Sequence, residues 1–236
     1  MGSDGAKTTW LPLESNPDVI TEYLDKLGLS DEQFQCVDIY GTDAELLQMV
    51  PSGVVAVLLL FPISEASEAF RRLEREKAQA IVDPKIWFTK QTVPNACGTV
   101  GLLHTVYNNL AHFKLRTDEF LINFYNRTKN QTPSERAVSL SDDETIRITH
   151  REAAAQGSSA VPEDLNNVDL HFIAFVCVNN RLIELDGRKD RPTDHGATTA
   201  ENLLYNAVGV VKQFVDRDPG NVNFSMLAIV ANNVSD

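Results

Sequence analysis

The spacing of hydrophobic and polar positions changes several times along the chain. The run VVAVLLLF at 54–61 is apolar on both faces and rich in β-branched residues, which is typical of a strand buried inside a layered sheet. Residues 98–111 place apolar side chains at the helical spacing of one buried face. The apolar segments 168–178 and 181–186 predict two strands, and Asn179-Asn180 between them favours a tight hairpin. We therefore predict an α/β fold in which helices cover both faces of a mixed central sheet.

Capping signals and short apolar runs predict the remaining elements. Asn16 and Pro17 precede DVITEYLDKL, and Gly28 follows it, as expected for a helix with an N-cap, a first-turn proline and a C-terminal glycine. We also predict strands at 33–40, 86–89 and 223–231, and helices at 44–50, 65–78, 118–125, 133–140 and about 200–216.

One long segment lacks an apolar period. From His150 to Asn167 the sequence HREAAAQGSSAVPEDLNN is small and polar, which predicts a mobile loop. Loops of this length inside compact domains are uncommon and are often functional. Because the segment leads directly into the strand at 168–178, we expect it to lie beside a functional site.

Composition and charge narrow the class of protein. The chain has 236 residues, 43% of them hydrophobic and 23% charged, which is typical of one soluble globular domain. With 21 basic and 33 acidic residues the net charge is −12, which disfavours nucleic-acid and membrane partners and favours a basic partner. The three cysteines, Cys36, Cys97 and Cys177, fit neither a disulfide framework nor a CxxC metal site. We expect a monomer in the cytoplasm, or also in the nucleus, without metal or cofactor.

Cys97 is the candidate nucleophile. A thiol with a pKa near ~8.5 needs help to ionise at neutral pH, and a helix beginning directly after Cys97 would stabilise the thiolate. The Cys97 amide and the side chain of Gln91 could both donate to an oxyanion. From this stretch alone, an inert buried cysteine and a surface glutamine remain equally open. Cys36 and Cys177 are expected to be apolar core residues.

Five histidines compete for the role of base: His104, His112, His150, His171 and His195. His104 is about two helical turns, or ~10 Å, from Cys97 and is more simply a core histidine. His195 lies in the Pro-, Gly- and Thr-rich segment RPTDHGATT, which predicts a surface turn. The charged run at 187–191 likewise predicts a solvated turn.

The predicted register of the hairpin favours His171 as the base. If Asn179-Asn180 is the turn, Ile173 lies opposite Asp186, and His171 is on the same face as Ile173. His171 and Asp186 are then diagonal neighbours about 7 to 8 Å apart at the backbone, a gap that the two side chains can bridge. A turn one residue longer or shorter would place them on opposite faces.

The chain resembles the ubiquitin C-terminal hydrolases. The resemblance rests on Gln91, Cys97, His171 and Asp186 in this order, and on segments spread over nearly the whole chain: WLPLESNP, QCVDIYG, AVLLLFPI, KQTVPNACGTVGLLH, VDLHFIAFV, LIELDGRK and FSMLAIV. It implies a papain-like cysteine peptidase fold with a largely antiparallel sheet and a knotted backbone. It further implies one catalytic domain over 1–236, with a flexible N-terminus at 1–9 and an active-site crossover loop at 150–167.

The resemblance also assigns roles. It implies that Cys97 is the nucleophile, His171 the general base and acid, Asp186 its orienting carboxylate and Gln91 an oxyanion donor. The implied reaction is thiol-dependent hydrolysis of small adducts and short peptides from the C-terminal glycine of ubiquitin, with Nedd8 as a second candidate partner.

Three acidic residues are candidates for binding the arginines of the ubiquitin tail: Glu14, Asp18 and Asp38. An ordinary solvated surface is an equally open interpretation of them. Two other functions stay open as well, a Cys-His-Asp acyltransferase and an inactive ubiquitin-binding module.

Overall fold

The computed structural model describes residues 9–77, 83–157, 164–165 and 168–232. Its helices are α1 (Pro17–Leu27), α2 (Ala44–Leu47), α3 (Glu65–Lys77), α4 (Cys97–Tyr107), α5 (Phe120–Thr128), α6 (Pro133–Ser141), α7 (Glu144–Gln156) and α8 (Leu203–Arg217). Its strands are β1 (Phe34–Asp38), β2 (Val54–Pro62), β3 (Leu170–Val178), β4 (Arg181–Leu185), β5 (Thr193–Ala197) and β6 (Ser225–Ala231). None of the helices in these ranges is both long and apolar enough to span a membrane.

The six strands form one sheet in the order β1-β6-β2-β3-β4-β5. Each neighbouring pair is antiparallel, so the largely antiparallel sheet is confirmed. The parallel component of a mixed sheet is absent from the described strands. The reason is that β6, the last strand, inserts between β1 and β2 and runs antiparallel to both.

The central strand β2 is buried on both faces, as predicted from its apolar run. Leu58 belongs to a core shared with α1, α4 and α5, whereas Val57 and Leu59 belong to a second core shared with α8. Because side chains alternate along a strand, one apolar strand supplies both cores. This three-layer packing fixes α4, which carries Cys97, against one face of the sheet.

The predicted strand at 86–89 is wrong. The segment has no strand partner, because side chains satisfy its peptide groups instead. The Trp87 amide donates to Asn108 Oδ1 at 2.9 Å and Asn108 Nδ2 donates to the Trp87 carbonyl at 2.8 Å. The buried guanidinium of Arg136 donates to the Phe88 carbonyl at 2.9 Å. An apolar run cannot distinguish this arrangement from a strand, since both bury the same side chains.

The predicted loop from His150 to Asn167 is wrong over its first part. Helix α7 continues through Gln156 and buries His150 and Ala153. The small residues of this segment suit a helix, because alanine has the highest helix propensity and lets two helices approach closely. Residues 158–163 and 166–167 of the predicted crossover loop, and 1–8 of the predicted flexible N-terminus, lie outside the described residues.

Candidate active site

The β3–β4 hairpin has the predicted register. Val178 pairs with Arg181 and Ala174 with Leu185. Asn179 and Asn180 form the two-residue turn with φ values of 50° and 58°, the left-handed conformations that asparagine tolerates. The hairpin therefore carries His171 and Asp186 on one face, as the arithmetic required.

His171 and Asp186 form a buried hydrogen-bonded pair. The imidazole Nε2 lies 2.6 Å from Asp186 Oδ1, and the Arg188 amide donates to the same oxygen at 2.8 Å. Burial would raise the pKa of Asp186, but the charge and hydrogen bond of His171, together with the Arg188 amide, lower it to about 2. The aspartate is therefore ionised and fixes the orientation of the imidazole.

Helix α4 begins at Cys97, and the imidazole of His171 interacts with its thiol. Burial opposes ionisation, yet the His171 hydrogen bond and charge, with the amides of Phe172 and Gly98, lower the pKa of Cys97. Burial likewise opposes the imidazolium, but Asp186 and Cys97 raise the pKa of His171 to about 9. The site thus favours a thiolate–imidazolium pair.

Gln91 is anchored beside the aspartate. Its amide N–H donates to the Gly187 carbonyl at 2.8 Å, directly after Asp186. The side-chain Nε2 donates to the Val93 carbonyl at 3.2 Å, and Oε1 is buried without a hydrogen-bond partner. The structure therefore ties Gln91 to the segment that carries Asp186, and its role as oxyanion donor stays a prediction.

Cys97 opens into a cavity of about 270 Å³. One wall is the extended segment at 11–15, which includes Glu14, and another is the end of α7 with Ala154 and Gly157. The rest of the lining is mostly apolar, from Leu60, Asn95, Val168, Leu170 and Phe172. Among the residues described, this cleft is the one that gives a substrate access to the sulfur.

Asp18 and Asp38 lie on a neighbouring surface. Asp18 is exposed in the first turn of α1, and Asp38 is half-buried at the end of β1. Burial first, and then the charges of Asp38 and Asp18, raise the pKa of the Cys36 thiol to about 12. The two carboxylates therefore act on one region, while Glu14 belongs to the cleft wall. Cys36 is buried as predicted, and Cys177 is half-buried.

Sequence reasoning missed a buried charge cluster behind Asp186. Glu184 is fully buried, with Lys189 Nζ at 2.6 Å and His195 Nε2 at 2.8 Å from its carboxylate oxygens. The prediction of a surface turn for His195 is wrong, because the residue lies in β5, where edge pairing tolerates Pro and Gly nearby. Lys189 is also not solvated as predicted. The sequence signal for this cluster is Glu184, a charged residue between the apolar Ile183 and Leu185 of β4.

The comparisons with known proteins agree with this geometry. Residues 10–216 match the family described as ubiquitin carboxyl-terminal hydrolase, family 1. The chain is 46% identical over 222 residues to ubiquitin carboxyl-terminal hydrolase 3 of Arabidopsis thaliana. This match covers 93% of each of the two chains. It is 38% identical over 220 residues to isozyme L1 of Homo sapiens, covering 92% of this chain and 96% of that one.

A solved structure shares the fold. The catalytic domain of Trichinella spiralis UCH37, crystallised with ubiquitin vinyl methyl ester, superposes with a TM-score of 0.74 at 20% identity, covering 97% of this chain and 98% of that one. The family match, the identity to these relatives and the shared fold agree with one another. The chain belongs to family 1 of the ubiquitin carboxyl-terminal hydrolases, which are cysteine-type deubiquitinating enzymes.

Proposed function

We propose that this protein hydrolyses small adducts and short peptides from the C-terminal glycine of ubiquitin, with Cys97, His171 and Asp186 as its catalytic triad. The observation that carries the proposal is the line of Cys97, His171 and Asp186 at the opening of a cleft, in which His171 is hydrogen-bonded to Asp186 and favours ionisation of the Cys97 thiol. In a member of this family, such a line is the arrangement that covalent thiol catalysis needs.

The chemistry follows from the charge states of the triad. The Cys97 thiolate attacks the carbonyl carbon of the terminal glycine, and the imidazolium of His171 protonates the leaving amine. The product is a thioester between ubiquitin and Cys97. His171, now neutral, takes a proton from water, the resulting hydroxide attacks the thioester, and the sulfur leaves as thiolate. Asp186 orients His171 and stabilises its charged form in both steps.

Two donors are available for the oxyanion. The Cys97 amide belongs to the first turn of α4, where backbone N–H groups have no partner within the helix. The side-chain amide of Gln91 donates to the Val93 carbonyl in the free enzyme. When substrate is bound, the same Nε2 group donates to the oxyanion instead.

Ubiquitin is the proposed partner on two grounds. The structurally similar UCH37 domain is bound to ubiquitin vinyl methyl ester, a ubiquitin whose C-terminus carries an electrophile. In this chain, Glu14, Asp18 and Asp38 offer negative charge to a basic tail. The exposed Tyr40 lines a groove together with Asp38 and Phe224, so the same surface offers apolar contact. Nedd8 is a second proposed substrate of this site.

Turnover of a fluorogenic C-terminal amide of ubiquitin tests the proposal. We expect hydrolysis by the natural chain, loss of turnover to background in Cys97→Ala, and retained turnover in Cys177→Ser as the matched cysteine control. Ubiquitin binding should survive in Cys97→Ala, because the sulfur contributes little contact area. Turnover in Cys97→Ala, or release of the dye only when an amine acceptor replaces water, would overturn the proposal.

A further inference from the structure

One wall of the active-site cleft has no helix or strand of its own. This cleft wall, residues 11–15, passes over the beginning of α4, and Trp10 directly precedes it. The Trp10 amide donates to the Pro94 carbonyl at 3.2 Å, and Asn95 Nδ2 donates to the Trp10 carbonyl at 3.0 Å. A Cβ at Gly98 would lie 2.9 Å from the Leu13 Cβ, so the wall packs directly on the residue after Cys97. Its position therefore defines the width of the cleft beside the sulfur.

A buried line of side chains reaches this wall from the opposite side. His150 of α7 lies with Nε2 2.7 Å from the Leu11 carbonyl and Nδ1 2.7 Å from Thr99 Oγ1. Thr99 is in the first turn of α4, and its hydroxyl lies 2.7 Å from the Tyr23 hydroxyl of α1. The Trp10 ring packs on the imidazole with centroids 4.5 Å apart. Three helices thus meet the wall at one histidine.

The chemistry of the groups determines which atom donates and which accepts in each of these hydrogen bonds. The Leu11 carbonyl can only accept, so Nε2 carries the proton and Nδ1 accepts from the Thr99 hydroxyl. Thr99 in turn accepts from Tyr23. Burial, partly offset by the Leu11 hydrogen bond, lowers the pKa of His150 to about 4, so the imidazole is neutral under assay conditions. Each polar atom of this line then has a defined partner.

We infer that His150 is a positioning residue for substrate binding, which fixes the cleft wall through the Leu11 carbonyl and ties it to the helix that carries Cys97. The inference rests on the proposed function, since it concerns the binding of the ubiquitin tail in that cleft. His150 does not reach the reacting atoms. Its hydrogen bonds go to Thr99 and Leu11, while the triad histidine is His171.

The expected signature is weaker binding with unchanged nucleophile chemistry. In His150→Ala the Leu11 carbonyl and the Thr99 hydroxyl lose their partner, and the wall is free to shift. We expect the Kd of ubiquitin to rise about tenfold, within the range for leaving a buried polar group unpaired. The Kd is measured in Cys97→Ala and in Cys97→Ala combined with His150→Ala, so that turnover cannot interfere.

The reactivity of Cys97 is measured in a separate experiment. The rate at which iodoacetamide alkylates Cys97 is measured against pH in the natural chain and in His150→Ala. We expect the same midpoint, because the reagent is small and needs no wall. A general loss of structure would move this midpoint as well as the Kd. His150→Gln keeps a donor and an acceptor, and it should recover part of the affinity.

Further variants complete the design. His112→Ala, at an exposed histidine of the α4–α5 connection, is the matched control and should leave the Kd unchanged. If His150→Ala does not melt cooperatively, Thr99→Val replaces it, since that change breaks the same line with little change in shape. An unchanged Kd in the folded variant overturns the inference while leaving the proposed function standing. Absence of ubiquitin-amide turnover by the natural chain overturns the proposed function instead.

Discussion

At the scale of single residues, the same side chain has opposite charge states in different surroundings. Asp186 and Cys97 raise the pKa of His171 to about 9. Burial, opposed by backbone hydrogen bonds, lowers the pKa of both His104 and His150 to about 4. A carboxylate partner therefore favours the charged form of a buried histidine, whereas burial with backbone partners leaves the imidazole neutral. This contrast identifies His171 among the buried histidines.

Asp186→Asn tests the contribution of that carboxylate. The amide keeps the shape but removes the countercharge, so the pKa of His171 should fall and that of Cys97 should rise. We expect kcat for a ubiquitin amide to drop about a hundredfold or more. The pH midpoint for alkylation of Cys97 should move upward in the same variant. A parental kcat with an unmoved midpoint would show that another group orients His171.

Charge reversal tests the acidic surface. Lysine at Asp38, or at Asp18 or Glu14, should raise KM for the ubiquitin amide and make KM rise less steeply with salt, because fewer attractive pairs are left to screen. Asp142→Lys, at the end of α6 and outside the cleft lining, is the control and should leave both quantities unchanged. A KM that keeps its parental salt dependence in all three reversals would place the binding surface elsewhere.

At the scale of elements, local sequence signals are sufficient to predict the structure where two paired segments are close in sequence. The Asn179-Asn180 turn fixes the hairpin register, so His171 and Asp186 could be paired from the sequence. The break before α4 likewise predicted a helix start directly after Cys97, and the helix begins at Cys97 itself. The segment at 86–89 could not be assigned, because its partners are side chains of Asn108 and Arg136 rather than a neighbouring strand.

Gly187→Ala tests how the segments carrying Gln91 and Asp186 are joined. An added Cβ would lie 2.8 Å from Val100 Cγ1 and 3.0 Å from Gln91 Cβ, so the two segments must separate. We expect kcat to fall about tenfold or more, since small displacements of catalytic groups are costly. Gly209→Ala in α8 has open space around its Cβ and should raise stability by about 0.5–1 kcal/mol without changing kcat. Equal kcat values in the two variants would refute the close contact.

At the scale of the whole molecule, the contacts that complete the site are remote in sequence. The His150–Leu11 hydrogen bond joins residues 139 positions apart, and the Ser15–Ser225 bond joins residues 210 apart. No periodicity or spacing rule reports such pairs. The same holds for Lys189, which looks like a solvated charge until the fold brings Glu74 to 2.8 Å from it. The His171–Asp186 pair could therefore be predicted, whereas the wall of the cleft and the buried charges near it could not.

Neutral buried histidines also predict how stability depends on pH. The pKa of His150 is about 4 in the folded chain, against 6.5 for the ordinary side chain, so the unfolded chain binds more protons between these values. Stability is therefore lost as pH falls from 6.5 toward 4. His150→Gln removes this contribution, so its unfolding free energy in urea should fall less between pH 6.5 and 5, by at most about 1.4 kcal/mol per pH unit. Identical pH slopes would mean that folding does not lower the pKa of His150.

The most direct test of the catalytic assignment is peptide mapping by mass spectrometry after exposure to ubiquitin with a C-terminal electrophile. The reagent must bind through its ubiquitin surface and then meet the attacking sulfur. We predict that one ubiquitin is added, that it is attached to Cys97, and that His171→Ala slows the addition strongly. Attachment to Cys36 or Cys177, or an unmodified folded chain, would contradict the account.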